Sequence, residues 1–192
     1  ILSSASQVDG VRARRQAGST LKPFLYGLAL ERRLLTPASL LEDTPLDVPV
    51  AGGVYRPRNY DEHFRGLLTV RTALAGSVNV PAVRTLSLVG LDVFVSHLEQ
   101  LGFTGLTESG EFYGPSLALG SADVSLWELV NAYRSLANQG RWSALRMTPD
   151  AHDPTAREAY SEATAFLLSS ILADRESRSG TFGLENPLAT RF

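Results

Sequence analysis

A hydroxyl becomes a nucleophile when an amine takes its proton, and Ser19 and Lys22 are the residue types for that at a suitable spacing. They stand three residues apart in Gly18-Ser19-Thr20-Leu21-Lys22, at the start of a helical pattern. That spacing puts both side chains on one face, with Cβ atoms roughly 5–6 Å apart. A serine hydroxyl is a weak nucleophile until a base takes its proton. An ordinary lysine, with a pKa of about 10.4, is protonated near neutrality and cannot be that base. Burial, a second nearby cation or the positive end of a helix lowers its pKa and makes it one. Of the 18 basic residues 17 are arginine, so any lysine chemistry falls on Lys22. The same spacing also fits an N-capping serine followed by a surface lysine, so the pair alone decides nothing.

Ser77-Val78-Asn79 is the second candidate, in a break between two helical patterns. A loop there can present a hydroxyl and an amide to a cleft. Serine and asparagine are equally the turn residues expected where one helix ends and Pro81 restarts another. His63, His97 and His152 are scattered without metal-ligand spacing, which argues against a metal site. Trp127 and Trp142 read as packing residues, and Arg12, Arg14 and Arg15 as a solvated or cleft-edge cluster.

The elements that must position these residues are mainly helical. Leu21, Phe24, Leu25, Leu28 and Leu35 recur at three- and four-residue steps and predict a helix from Gly18 to Thr36-Pro37. Pro23 is tolerated in its first turn. Residues 36–60 hold four prolines and no period, and read as an irregular or lid-like segment. Further helices are expected over Leu67–Ala75, from Pro81 to Val89 and over Asp92–Leu101. Gly105–Gly120 reads as irregular. Ser125 and Glu128 form a capping-box pattern at the head of a helix reaching Ala137. Leu145–Met147 reads as a short strand, and Ser161-Glu162 opens a last helix. About six helices and almost no strand would ordinarily mean an all-α domain, unless the sheet comes from sequence outside this window.

Composition narrows the classes. The chain has 192 residues, 44% of them hydrophobic, enough for one core without a disulfide or metal. A net charge of −2 argues against a broad nucleic-acid footprint. The absence of cysteine excludes thiol nucleophiles and thiolate metal sites. No apolar run reaches the ~18–20 residues of a membrane span.

Several blocks, in order, carry a resemblance. Gly18-Ser19-Thr20-Leu21-Lys22-Pro23-Phe24 with Tyr26-Gly27 resembles the nucleophile segment of penicillin-binding proteins, the serine transpeptidases of bacterial cell-wall synthesis. Arg71-Thr72-Ala73-Leu74 leading into Ser77-Val78-Asn79-Val80-Pro81-Ala82-Val83 is similar to that family's second motif. Tyr55-Arg56-Pro57 with Asn59-Tyr60-Asp61 resembles the stretch before it, and Ser116-Leu117-Ala118-Leu119-Gly120-Ser121 with Ala137-Asn138-Gln139-Gly140 the stretch after it. Together these blocks cover nearly the whole chain and look most like the class A bifunctional type, especially its 1C branch.

The resemblance implies an α/β (α+β) penicillin-binding and serine β-lactamase-like transpeptidase fold, with residues 1–192 a partial transpeptidase domain holding mostly its helical part. It implies Ser19 as the acylated nucleophile, Lys22 as its base, Ser77 as a proton relay and Asn79 as a substrate-binding and Lys22-positioning residue. Peptidoglycan stem peptides and β-lactam antibiotics are the implied partners, and no cofactor is implied. The family's third motif, Lys-Thr/Ser-Gly, has no counterpart, and it is expected beyond Asn186-Pro187-Leu188-Ala189. A glycosyltransferase domain and a membrane anchor are expected outside this chain, with the domain on the periplasmic face of the bacterial inner membrane. Two other functions share the motifs: a serine β-lactamase, and a non-catalytic binding or sensor domain. Glu128 and Asn131 loosely resemble the deacylating-base helix of class A β-lactamases, but a capping box and a solvent face are the favoured reading of them. If Lys22 is a base in a cleft, an arginine there is expected to end the chemistry with little change in stability.

Overall fold

Helix α1 (Lys22–Glu31) is buried from Lys22 to Leu30, so its apolar surface runs right round it and other elements must enclose it. The structure is a computed structural model describing residues 7–146 and 156–185. Around α1 lie α2 (Val70–Ala75), α3 (Asn79–Val89), α4 (Leu91–Gln100) and, from the far end of the chain, α7 (Glu162–Ala173). Gly27 permits the approach of α7: a Cβ there would stand 2.8 Å from Leu168 Cδ1 and 2.9 Å from Tyr160 Cε1. The Tyr160 hydroxyl donates to the Phe24 carbonyl at 3.2 Å and lies 2.7 Å from His97 Nε2. Burial, aided by the charge of Arg32, pushes the His97 pKa down to about 4. His97 is therefore neutral and donates from Nε2 to the hydroxyl, the part of a core histidine. His63 is exposed, and His152 lies outside the described residues.

The helix expected from Gly18 to Leu35 is shorter and has two parts. A 3-10 turn over Gly18–Leu21 runs into α1, which ends at Glu31. The irregular reading of 36–60 is corrected by strands β2 (Leu40–Asp43), β3 (Val48–Val50) and β4 (Gly53–Tyr55). The helix expected from Leu67 begins instead at Val70, because β5 (Gly66–Thr69) pairs antiparallel with β2, Leu40 opposite Thr69 and Asp43 opposite Gly66. Strands β3 and β4 form their own hairpin. Within Gly105–Gly120 the chain makes α5 (Gly110–Tyr113) and a 3-10 turn over Pro115–Leu119.

Helix α6 (Leu126–Ala137) starts as expected: the Ser125 side chain accepts from the Glu128 N–H, and the Glu128 carboxylate accepts from the Ser125 N–H. The expected strand at Leu145–Met147 is not found at Leu145 or Arg146, and Met147 lies outside the described residues. The strand there is β7 (Arg141–Trp142), paired with β8 (Arg157–Glu158). Trp142 is buried under the Arg157 guanidinium. Trp127, at the head of α6, is 41% exposed. Helix α8 (Ser179–Phe182) closes the described chain. No helix among the described residues is long and apolar enough to cross a membrane.

One ladder bears directly on the 3-10 turn. Strand β1 (Arg15–Gln16) pairs with β6 (Asp123–Val124), and the contact continues as Ala17 N–H to Ala122 O at 3.0 Å and Gly18 N–H to Gly120 O at 2.9 Å. Gly120 has φ +77°, and a Cβ on it would lie 1.9 Å from the Gly18 carbonyl oxygen. Backbone cannot yield as a flexible side chain can. Gly120→Ala is therefore expected to destabilise the fold by more than the ~1–3 kcal/mol that left-handed backbone strain alone costs. Urea unfolding checks this, and a loss below about 0.5 kcal/mol would show that the two backbones are free to separate.

Candidate active site

Lys22 begins α1 and is 1% exposed. Its Nζ donates to the Ser77 carbonyl at 2.6 Å, to Asn79 Oδ1 at 2.7 Å and to Ser77 Oγ at 3.2 Å. An ammonium has three N–H donors, and three acceptors meet them. Burial lowers the Lys22 pKa from 10.5 to about 7, where the neutral amine is well populated near physiological pH. The structure thus brings together Lys22, Ser77 and Asn79 across more than fifty residues of sequence. Burial rather than a cleft surrounds Lys22, so the larger guanidinium of Lys22→Arg would have to displace packed neighbours. A loss of stability is therefore expected of the arginine variant, and methionine is the volume-conserving replacement.

Ser19 is exposed, one turn before Lys22, and the Lys22 N–H closes that turn on the Ser19 carbonyl. No hydrogen bond joins the Ser19 hydroxyl to Lys22 Nζ, whose three acceptors belong to Ser77 and Asn79. The turn is held at two further points. The Tyr133 hydroxyl donates to the Thr20 carbonyl at 2.9 Å, and burial pushes the Tyr133 pKa up to about 12, so it remains a donor. The Tyr133 ring also meets Phe24 edge-on, with centroids 5.0 Å apart.

Ser77 owes its position to the end of α2. The Ser77 N–H bonds the Leu74 carbonyl at 3.0 Å and the Val78 N–H bonds the Ala73 carbonyl at 2.9 Å. These are the two bonds of a Schellman motif, with Ser77 at the left-handed position, φ +53°. Glycine is the usual occupant there. A serine carries the strain and offers Lys22 both a carbonyl and a hydroxyl. Asn79 opens α3 directly afterwards, and its Nδ2 donates to the Arg58 carbonyl at 2.8 Å.

Sequence reasoning missed Asn59 and Asp43. Asn59 Oδ1 accepts from the backbone N–H of Asn79 at 3.1 Å and of Val80 at 3.3 Å. Asn59 Nδ2 donates to both oxygens of Asp43, which is fully buried. The motif Asn59-Tyr60-Asp61 was visible in the sequence, but nothing local points from it to a helix start twenty residues on.

Glu128 is no candidate base. Burial favours its neutral form, yet hydrogen bonds from Ser125 and Thr104 outweigh that and hold its pKa below the usual value. Its carboxylate is engaged by Ser125, by the N–H and hydroxyl of Thr104, and by Arg14 at 3.4 Å. Arg12, Arg14 and Arg15 are all exposed, and Arg14 reaches Glu128 and Thr104 from the surface. Cavity size does not mark the site either. A cavity of about 830 Å³ between the β3–β4 hairpin and α3 and α5 includes none of the four residues. No group of three or more metal-ligating residues occurs among the described residues.

The profile described as "Penicillin binding protein transpeptidase domain" matches residues 5–186. The chain is 40% identical over 168 residues to penicillin-binding protein 1C of Escherichia coli, covering 87% of this chain and 21% of that protein. It is 36% identical over 141 residues to penicillin-binding protein 1A of Rickettsia felis, covering 72% of this chain and 17% of that protein. The chain thus spans about a fifth of the length of the curated relatives it matches. Among solved structures, penicillin-binding protein 1A of Haemophilus influenzae superposes with a TM-score of 0.75 at 23% identity, over 88% of this chain and 31% of that one. The transpeptidase domain of Burkholderia pseudomallei penicillin-binding protein 3 gives 0.69 at 22% identity, over 85% and 54%. These superpositions establish the α/β penicillin-binding fold.

Strain and chemistry oppose one another at residue 77, and that opposition is measurable. Ser77→Gly relieves a left-handed backbone and is expected to leave the protein at least as stable as wild type, with a gain of up to about 1 kcal/mol. Ser77→Ala keeps the strain and is expected to be less stable than Ser77→Gly. Thermal unfolding of the two variants side by side checks this, and an alanine variant at least as stable as the glycine variant would contradict the backbone reading.

Proposed function

The chain belongs to the penicillin-binding protein transpeptidase family, and on that premise we propose that it holds the serine acyl-transfer centre of a peptidoglycan D,D-transpeptidase. The observation that carries the reading is Lys22, buried, held by Ser77 and Asn79, and poised near pH 7 one turn from an exposed serine. Neutral Lys22 Nζ takes the Ser19 Oγ proton as that oxygen attacks the carbonyl between the two D-alanines of a stem peptide. The Ser19 N–H, in the first turn where no carbonyl of the turn can accept it, offers one oxyanion donor. The C–N bond then breaks, and the proton on Lys22 passes through the Ser77 hydroxyl to the departing D-alanine amine. An amine from a neighbouring stem attacks the ester, gives its proton back along the same route and frees Ser19. β-Lactams would acylate the same oxygen.

Asn79 has one free donor for this task. Its Oδ1 faces Lys22 and one Nδ2 hydrogen faces the Arg58 carbonyl, which leaves the second Nδ2 hydrogen for a substrate carbonyl. Under this reading residues 1–192 are part of a transpeptidase domain. In a class A protein it would be joined to a glycosyltransferase domain and a membrane anchor and face the periplasm. The commitment of the Glu128 carboxylate to five donors favours transfer to an amine over β-lactam hydrolysis, because it removes the one acidic candidate for activating water on that helix.

Three outcomes are expected. In a protein extended through the third motif, labelling by a fluorescent penicillin should rise about tenfold per pH unit up to about pH 7 and then level off, since only the neutral amine is a base. Ser19→Ala and Lys22→Met should form no adduct, and a Lys22→Met variant labelled within tenfold of wild type would remove Lys22 from the mechanism. Residues 1–192 alone should label at least about 10²-fold more slowly than a protein that includes the third motif, whose strand would supply the second oxyanion donor. Mass spectrometry of Ser19 occupancy measures it, and equal rates would mean that the third motif is dispensable.

A further inference from the structure

We infer that Asn59, oriented by the buried carboxylate of Asp43, is a positioning residue that sets the start of α3 and so the Asn79 amide that holds Lys22. Helix α3 has no side-chain cap of its own: its N-cap is Val78, and its first N–H groups need acceptors. Asn59 Oδ1 supplies one from outside, accepting from Asn79 N–H and Val80 N–H. A carboxamide could face either way, and its partners fix it. Nδ2 donates to Asp43 Oδ1 at 2.8 Å, to Asp43 Oδ2 at 2.9 Å and to the His63 carbonyl at 2.7 Å. All of these groups are acceptors, so a flipped amide would set oxygen against oxygen there and nitrogen against the N–H groups of α3.

Asp43 is itself held. It ends β2 opposite Gly66, and its Oδ2 accepts from the Arg65 N–H at 2.9 Å with the Arg65 guanidinium 3.9 Å away. The next carbonyl along, that of Arg58, takes the Asn79 Nδ2. Residues 58 and 59 thus grip Asn79 by its backbone and its amide, leaving Oδ1 aimed at Lys22. The chain of contacts runs Asp43, Asn59, Asn79, Lys22, and each link is a hydrogen bond of 3.1 Å or less. Asn59 is 5% exposed, and its part is to place Asn79 rather than to meet substrate.

This inference rests on the proposed acyl-transfer centre, so one readout is independent of activity. The chain has a single lysine, and isotope-labelled lysine therefore reports Lys22 alone by NMR. Asn59→Ala should move the Lys22 titration midpoint by half a pH unit or more, because the amide that faces Nζ is released. In the extended protein, Asn59→Ala that remains folded by circular dichroism should acylate on the order of 10²-fold more slowly. Asp43→Ala leaves Asn59 in place but removes the carboxylate that orients it, and should move the Lys22 midpoint in the same direction as Asn59→Ala and slow acylation by at least threefold. A folded Asn59→Ala with an unmoved midpoint and a rate within threefold of wild type would overturn the inference. If Asn59→Ala does not fold, Asp43→Ala decides, and a folded Asp43→Ala with an unmoved midpoint and a rate within threefold of wild type would overturn it. A wild-type protein that never acylates would instead sink the proposed function, and the NMR arm would still test the positioning.

Discussion

Everything near the site answers to one demand, the burial of Lys22. A pKa lowered from 10.5 to about 7 means that enclosing the ammonium costs on the order of 5 kcal/mol. The sign follows from where the proton sits. Between about pH 7 and 10.5 the unfolded chain holds this proton more than the folded one does, so stability rises with pH across that window, and the full cost is carried below it. The cost comes with the reactivity, because the same desolvation that destabilises the ammonium makes the amine a base at neutral pH. Enclosure comes from α1, whose neighbouring side chains are apolar in every direction, and acceptors come from outside it.

Those acceptors require a loop that the helices do not provide by themselves. Helix α2 ends, one residue turns left-handed, and α3 begins, so the chain delivers a carbonyl, a hydroxyl and an amide within residues 77–79. The start of α3 has no side-chain cap of its own. The β2–β5 ladder places Asp43, Asp43 orients Asn59, and Asn59 caps α3. The short strands that look incidental in the fold thus supply the rigidity that a catalytic carboxamide needs. The opposite wall is built similarly, since β1–β6 and the Gly18–Gly120 contact fix where the Ser19 turn can lie.

How much of this was legible depended on the range of the interaction. Helix α6 was readable to its first residue because both halves of its capping box lie within four positions. The Ser19–Lys22 pair was readable because it is one turn long. Strand β2 was not, since its inward residues are Leu41 and Asp43, and a buried carboxylate breaks the apolar alternation that marks a strand. Leu67, Leu68, Val70 and Leu74 fit a helical period, yet Leu67 is 63% exposed and belongs to β5. Asn59 lies within a family motif but has no role that sequence can assign, because its partners lie four to twenty-one residues away. The exposure of Trp127, and of its neighbours Leu126 and Val130 on α6, was not legible, because the residue types alone are apolar.

Backbone strain separates turns that merely turn from one that does chemistry. Among the described residues four other than glycine have positive φ: Arg33, Glu62, Ser77 and Gln139. Arg33, Glu62 and Gln139 are exposed, where a side chain is free to adapt and little depends on it. Ser77 alone is half-buried, with its carbonyl and hydroxyl both committed to one lysine. Glycine would suit the backbone better at every one of these positions. At Ser77 it would keep the carbonyl and lose the hydroxyl, and under the proposed mechanism that removes the one group able to carry a proton between Lys22 and the leaving amine. The strain persists there because the surrounding structure over-determines it: two helix-terminating hydrogen bonds fix the turn and the buried lysine holds its oxygens.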